Sequence, residues 1–154
     1  TQGLNVIVLD DIYPEGHQGG IAIIQHGTRV AANGDVSIQP TPGQWEPFSH
    51  FIKKEVIKNQ NTIVASLKNT DSTRMLSNDQ QIIYPDFEFY YKLNVIAEGN
   101  TFRVIVDLDK PLPEEWVGKV GFNIELYPGI YSAKHTLLVI KLEFFHVMQI
   151  HRQL

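Results

Sequence analysis

Apolar and polar residues alternate with a period of two along much of this chain, the pattern of strands with one buried face. The clearest run spans Phe87 to Ala97. Phe87, Phe89, Tyr91, Leu93 and Val95 fall on one side, and Glu88, Tyr90, Lys92 and Asn94 on the other. Glu98-Gly99-Asn100 supplies a turn, and the chain returns over residues 101 to 107 as the second arm of a hairpin. Residues 120 to 126 repeat the alternation, with Phe122, Ile124 and Leu126 expected inward.

Upstream, the pattern predicts strands over residues 4 to 9 and 21 to 26, and a hairpin of residues 51 to 57 and 62 to 67 joined by Lys58 to Asn61. Asn33-Gly34, between β-type runs at 29 to 32 and 35 to 39, reads as a two-residue hairpin turn, because both residues tolerate positive φ. Asp10 to Gly20 reads as a Gly-, Pro- and acid-rich loop, residues 40 to 47 as a proline-rich turn carrying Trp45, and residues 68 to 81 as a long polar loop. No stretch sustains a helical period. Eight or more short strands at this spacing predict an all-β chain folded as an antiparallel β-sandwich.

Composition narrows the class. The chain has 154 residues, 43% hydrophobic and 19% charged, which suits one globular domain with a sizeable core. Its net charge of -4 and lack of a basic run argue against nucleic acid as a partner. No apolar span is long enough for a transmembrane helix, so no membrane partner is expected. The absence of cysteine excludes a disulfide frame and thiolate-bound metal, and leaves the compartment open. The chain opens at Thr1 without a visible signal peptide and reads as a mature or trimmed product.

Few residues form patterns that carry chemistry. Asp10, Asp11 and Glu15 share one acidic segment and are the candidate Ca²⁺ ligands, since calcium takes hard oxygen donors from loops. The competing reading is a solvated turn, and no other cofactor is implied. The six histidines are scattered and show no zinc spacing. Asn123, Glu125 and Tyr127 fall on the outward side of one strand. An amide, an acid and an aromatic together suit a sugar, the polar groups taking hydroxyls and the ring stacking on the pyranose. Trp45 and Trp116 are further candidate platforms, with core or turn positions as the alternative. A carboxylate pair could also make a small glycoside hydrolase. Glu125 and Glu88 are the candidate catalytic residues, with Asp86 and Asp107 behind them. Such a pair stands about 5–5.5 Å apart for retention and about 6.5–9.5 Å for inversion.

Four stretches, IYPEGHQGG, RVAANGDVSIQPTPGQW, IYPDFEFYYKLNV and VDLDKPLPEEWVGKVGFNIELYPG, occur in this order and spacing. Together they resemble the N-terminal β-sandwich region of bacterial family nine glycoside hydrolases, which are cellulase-like enzymes, over residues 3 to 131. The resemblance implies a secreted, cell-surface or periplasmic accessory domain that packs on a catalytic domain or touches glycan. In that family the catalytic acid and base lie in a separate downstream α/α-barrel, so no family catalytic residue carries over to this chain.

After residue 131 the resemblance stops, dividing the chain into a sandwich at 1–131 and a tail at 132–154. Ser-Ala-Lys-His-Thr-Leu, back-translated with suitable codons and read one base earlier, encodes Phe-Gly-Lys-Thr-Tyr-Phe, the family's continuation. Residues 132 to 154 therefore read as the product of a single-base deletion. The segment from 137 to 150 is rich in large apolar and β-favouring residues. A strand is expected there, joining a sheet edge or pairing with a second copy to give a homo-oligomer. The leading expectation is a non-catalytic module for a polysaccharide, with β-glucan the implied class. A small glycosidase and a purely structural sandwich fragment are the alternatives.

Overall fold

The computed structural model describes residues 3–13, 16–39, 47, 49–69, 73–75, 81–83, 88–127, 129 and 142–144; residues 10–13, 16–18, 73–75, 82 and 142–144 are described at the backbone alone. Two antiparallel sheets of four strands, the second extended at one edge by a short parallel strand, form the all-β sandwich that the alternating pattern predicts. The first sheet runs in the order β1 (Leu4–Tyr13), β2 (Gly16–Gln25), β3 (Thr28–Ile38), β10 (Val120–Leu126). The second runs β9 (Thr101–Leu108), β8 (Phe89–Glu98), β5 (Thr62–Asn69), β4 (Ser49–Ile57). A small separate ladder joins β6 (Thr73–Met75) to β7 (Gln81–Ile83) within the expected polar loop. No helix among the described residues is long and apolar enough to cross a membrane.

The core forms where the two alternating faces meet. Phe89, Tyr91, Leu93 and Val95 of β8 are all buried, against Val8, Ile21, Val36 and Ile38 of the first sheet. Each such side chain contributes roughly 1.5–3 kcal/mol of transfer free energy, so this face holds the sandwich together. Tyr91 also carries a hydroxyl into the core. It donates to Asp35 Oδ1 at 2.8 Å and accepts from Ser49 Oγ at 2.7 Å, which satisfies a buried polar group and links β3, β4 and β8.

Two local expectations are corrected, and one open choice is decided. Asp10 to Gly20 is not an open loop: Asp10↔Gly19 through Tyr13↔Gly16 extend the β1–β2 ladder. Asn33-Gly34 is not a hairpin turn, because β3 runs through it without reversing. The reversal lies earlier, at His26 and Gly27, where φ is 50° and 84° in a two-residue connection between Gln25 and Thr28. Of the two readings open for Trp116, the core or turn position holds: it sits on the short turn Glu114–Trp116, buried in the main core.

Of the three β10 side chains expected inward, Phe122 packs on the main core and Ile124 on a smaller cluster around Ile23, Val30 and Ala31. Leu126 lies beside Ala31 in register yet is 44% exposed, since the strand ends at a sheet edge. At the opposite edge, β4 carries Lys53, Lys54 and Glu55 in exposed positions. Lys54 Nζ donates to the Val8 carbonyl at 3.3 Å, reaching across to the edge of the first sheet. Charges on an edge strand discourage pairing with other chains. The strand expected between 137 and 150 is β11 (Leu142–Phe144), parallel to Val104–Val106 at the β9 edge of the chain's own second sheet.

Candidate functional site

The exposed strip on β10 is shaped by an irregularity in its neighbour. Seen from β10, the register passes from Asn123↔Asp35 to Glu125↔Ala32; seen from β2, from Ile21↔Gly34 to Ile23↔Ala31. Both shifts place one extra residue in β3 at Asn33-Gly34, which makes this a β-bulge within the sheet. Asn33 takes a positive φ of 52°, a conformation that Asn tolerates better than most residues. Gly34 is tightly enclosed: a Cβ there would stand 3.0 Å from Ile21 Cβ and 3.1 Å from Ile21 O, so Ile21 would have to give way slightly. Gly20 is tighter still, with φ of 79° and a notional Cβ 2.3 Å from Gly34 O.

The bulge has a chemical result. Asn33 Nδ2 donates to Glu125 Oε2 at 2.9 Å, fixing one carboxylate oxygen at the surface. Asn33 Oδ1 is buried and has no hydrogen-bond partner among the described residues. Asn123 and Glu125 are exposed, and Tyr127 is half-buried. The Tyr127 N–H donates to Val30 O at 3.1 Å, so the backbone stays attached to β3 beyond the end of β10. Three of the four sugar-facing residues read from sequence therefore share one strand and its extension. The fourth, Trp45, lies outside the described residues.

The two carboxylates named for hydrolysis occupy different sheets. Glu125 is on β10, while Glu88 immediately precedes β8 and forms an ion pair with Lys68 at 3.1 Å. The Lys68 ammonium also stands 5.3 Å from the centroid of the Tyr90 ring. Glu88 first, and Tyr90 after it, hold that ammonium above the ordinary lysine value. Asp107 accepts from Asn94 Nδ2 at 2.8 Å, and Asp86 lies outside the described residues. For calcium, the backbones of Asp10 and Asp11 are in β1, whereas their side chains and Glu15 lie outside the described residues. No group of three or more His, Asp or Glu that could hold a metal occurs among the described residues.

Sequence reasoning did not find the second feature, an open cleft of about 450 Å³ at one end of the sandwich. It lies where the start of β1 approaches the β8–β9 turn and Asn61. No period or motif signals it, because its walls come from four strands brought together only by folding. No family model, curated protein or solved structure matches this chain.

Proposed function

We propose that this sandwich is a non-catalytic carbohydrate-associated module that meets polysaccharide through Asn123, Glu125 and Tyr127. The observation that carries the reading is the Asn33–Glu125 hydrogen bond. It holds an exposed carboxylate in one orientation on an edge strand, beside an exposed amide and a half-buried aromatic. A preoriented acceptor costs less ordering on binding than a freely rotating one. Glu125 Oε1 has no partner among the described residues and is available to accept from a sugar hydroxyl. The resemblance to family nine enzymes directs the reading toward β-glucans.

A binding role suits the engaged carboxylates better than hydrolysis does. Glu88 is tied to Lys68 on the other sheet from Glu125, so the two do not face each other across one bond to be cleaved. The test is one incubation of the pure protein with soluble and insoluble β-glucans, following depletion from solution and release of reducing sugar. Depletion without sugar release is expected, and Glu125→Ala should abolish it. Sugar release lost on a single carboxylate substitution would overturn the proposal in favour of a glycosidase. Neither depletion nor release would leave a structural domain.

A further inference from the structure

The cleft at the end of the sandwich shares no residue with the β10 strip. Its inner wall is apolar: Val95 is buried, and Val6, Ile63 and Phe102 are half-buried. Phe102 packs against both hydrophobic clusters, so its ring is a fixed wall. The rim is polar and neutral, formed by Asn61, Asn100 and Thr101. None of the described lining residues is charged, and the charges on the β8–β9 hairpin beside them, Glu98 and Arg103, pair with each other.

Small residues keep the space open. Gly3, Ala97 and Gly99 all line it, and no atom lies within 4 Å of a notional Cβ on either glycine. The rim is also held in place. Asn61 has φ of 50°, donates its N–H to Lys58 O at 3.2 Å and accepts from Ala97 N–H at 2.9 Å, which ties the β4–β5 turn to β8. The Thr101 hydroxyl donates to Glu98 O at 3.0 Å and keeps its own lone pairs for a ligand. Small-molecule sites occupy roughly 300–1,000 Å³, with apolar walls and a few fixed polar groups, and this cleft meets that description.

An apolar wall opposite two amides and a hydroxyl, with no charge, selects a neutral ligand that has one apolar face and one hydroxylated edge. A pyranose is such a ligand. We propose that the cleft receives the end of a glucan chain, one or two sugar units deep, with the sugar face against Phe102 and its hydroxyls on Asn61, Asn100 and Thr101. The proposal rests on the carbohydrate reading above and adds a second site to it.

The test is a titration of the ¹⁵N-labelled full chain with cellobiose, followed by NMR. The side-chain amides of Asn61 and Asn100 and the Gly99 N–H should shift and saturate, with a dissociation constant on the order of 1 mM. Ala97→Arg lays a long side chain into the cleft from an exposed position, and should weaken binding by at least about tenfold while the remaining spectrum stays folded. Asn61→Gly keeps the left-handed turn but removes the amide, and should weaken binding by roughly threefold to tenfold. Shifts at Asn123, Glu125 and Tyr127 alone would overturn the cleft proposal and leave the β10 strip as the sugar site. No cellobiose shift anywhere would also overturn it, and binding to insoluble glucan would then decide the β10 reading separately. Saturable cleft shifts that persist unchanged in Ala97→Arg would show that the sugar sits elsewhere.

Discussion

The hydroxyl of Tyr91 donates to Asp35 Oδ1 at 2.8 Å, joining the central β8 strand of one sheet to β3 of the other inside the core. Ser49 donates to the same hydroxyl, so the phenol both donates and accepts. Tyr91→Phe removes the donor to Asp35 and the acceptor of Ser49 together. It should destabilise the fold by about 1–3 kcal/mol, read as a lower urea midpoint at unchanged m-value.

The same bond gives stability a pH dependence. Burial first, with the Asp35 charge adding to it, pushes the Tyr91 phenol well above its ordinary range. In the unfolded chain the phenol loses its proton near pH 10, while in the folded chain it keeps it. The unfolded state therefore binds fewer protons above about pH 10, and stability falls as pH rises. Tyr91 should contribute a slope of about -1.4 kcal/mol per pH unit there, absent from Tyr91→Phe in denaturation measured between pH 9 and 11.

Two glycines meet where β2 crosses the bulge, and they should not be equally tolerant. A Cβ on Gly20 would strike the Gly34 carbonyl at 2.3 Å on a left-handed backbone, whereas one on Gly34 meets Ile21 at 3.0 Å. Gly34→Ala should cost about 1–3 kcal/mol through overpacking, and Gly20→Ala more. Gly118→Ala has the same positive-φ strain in open space and serves as the control, costing about 1 kcal/mol. Thermal melts of the three variants rank them.

Asn33 can be separated into backbone and side-chain roles. Asn33→Gly keeps the positive φ, and Asn33→Ala does not. The Ala variant should be the less stable by about 1 kcal/mol in urea denaturation. Both remove the hydrogen bond that orients Glu125, so both should weaken retention on β-glucan by a similar factor, roughly threefold to tenfold.

Glu88 offers a contrast. Its ion pair with Lys68 lies at the surface, where such pairs are worth little. Glu88→Gln should change stability by less than about 1 kcal/mol in urea denaturation and leave glucan retention intact. Loss of retention in this variant would move the sugar site to the outer face of the second sheet.

What could be read from sequence follows physical lines. The β8–β9 hairpin was legible because a half-buried strand writes its burial into alternate positions, as Phe89, Tyr91, Leu93 and Val95 do. Asn33-Gly34 misled because positive φ serves a bulge as well as a turn, and residue identity reports φ without saying which way the chain continues. The true turn at His26-Gly27 carries a weaker signal, since His is a less usual left-handed residue than Asn. The Asp10–Gly20 segment looked like a loop because polar residues and glycines weaken strand propensity, yet residues 10 to 13 and 16 to 19 pair in the β1–β2 ladder. Asn123, Glu125 and Tyr127 could be placed on one strand from the period alone. The bond from Asn33 could not, since it depends on a pairing between distant segments.

The position of β10 has a consequence for how the protein is made. It completes the first sheet beside β3, yet β4, β5, β8 and β9 of the second sheet all precede it in the chain. As the nascent polypeptide leaves the ribosome, the β1–β2–β3 meander is finished early and its β3 edge waits uncovered while β4 to β9 are translated. Contacts of such sequence separation form slowly, and a bare sheet edge recruits strands from other chains in the meantime. The interval between release of Ile38 and release of Leu126 is thus the window in which a chaperone, or a neighbouring polysome product, competes for the seat that β10 later occupies.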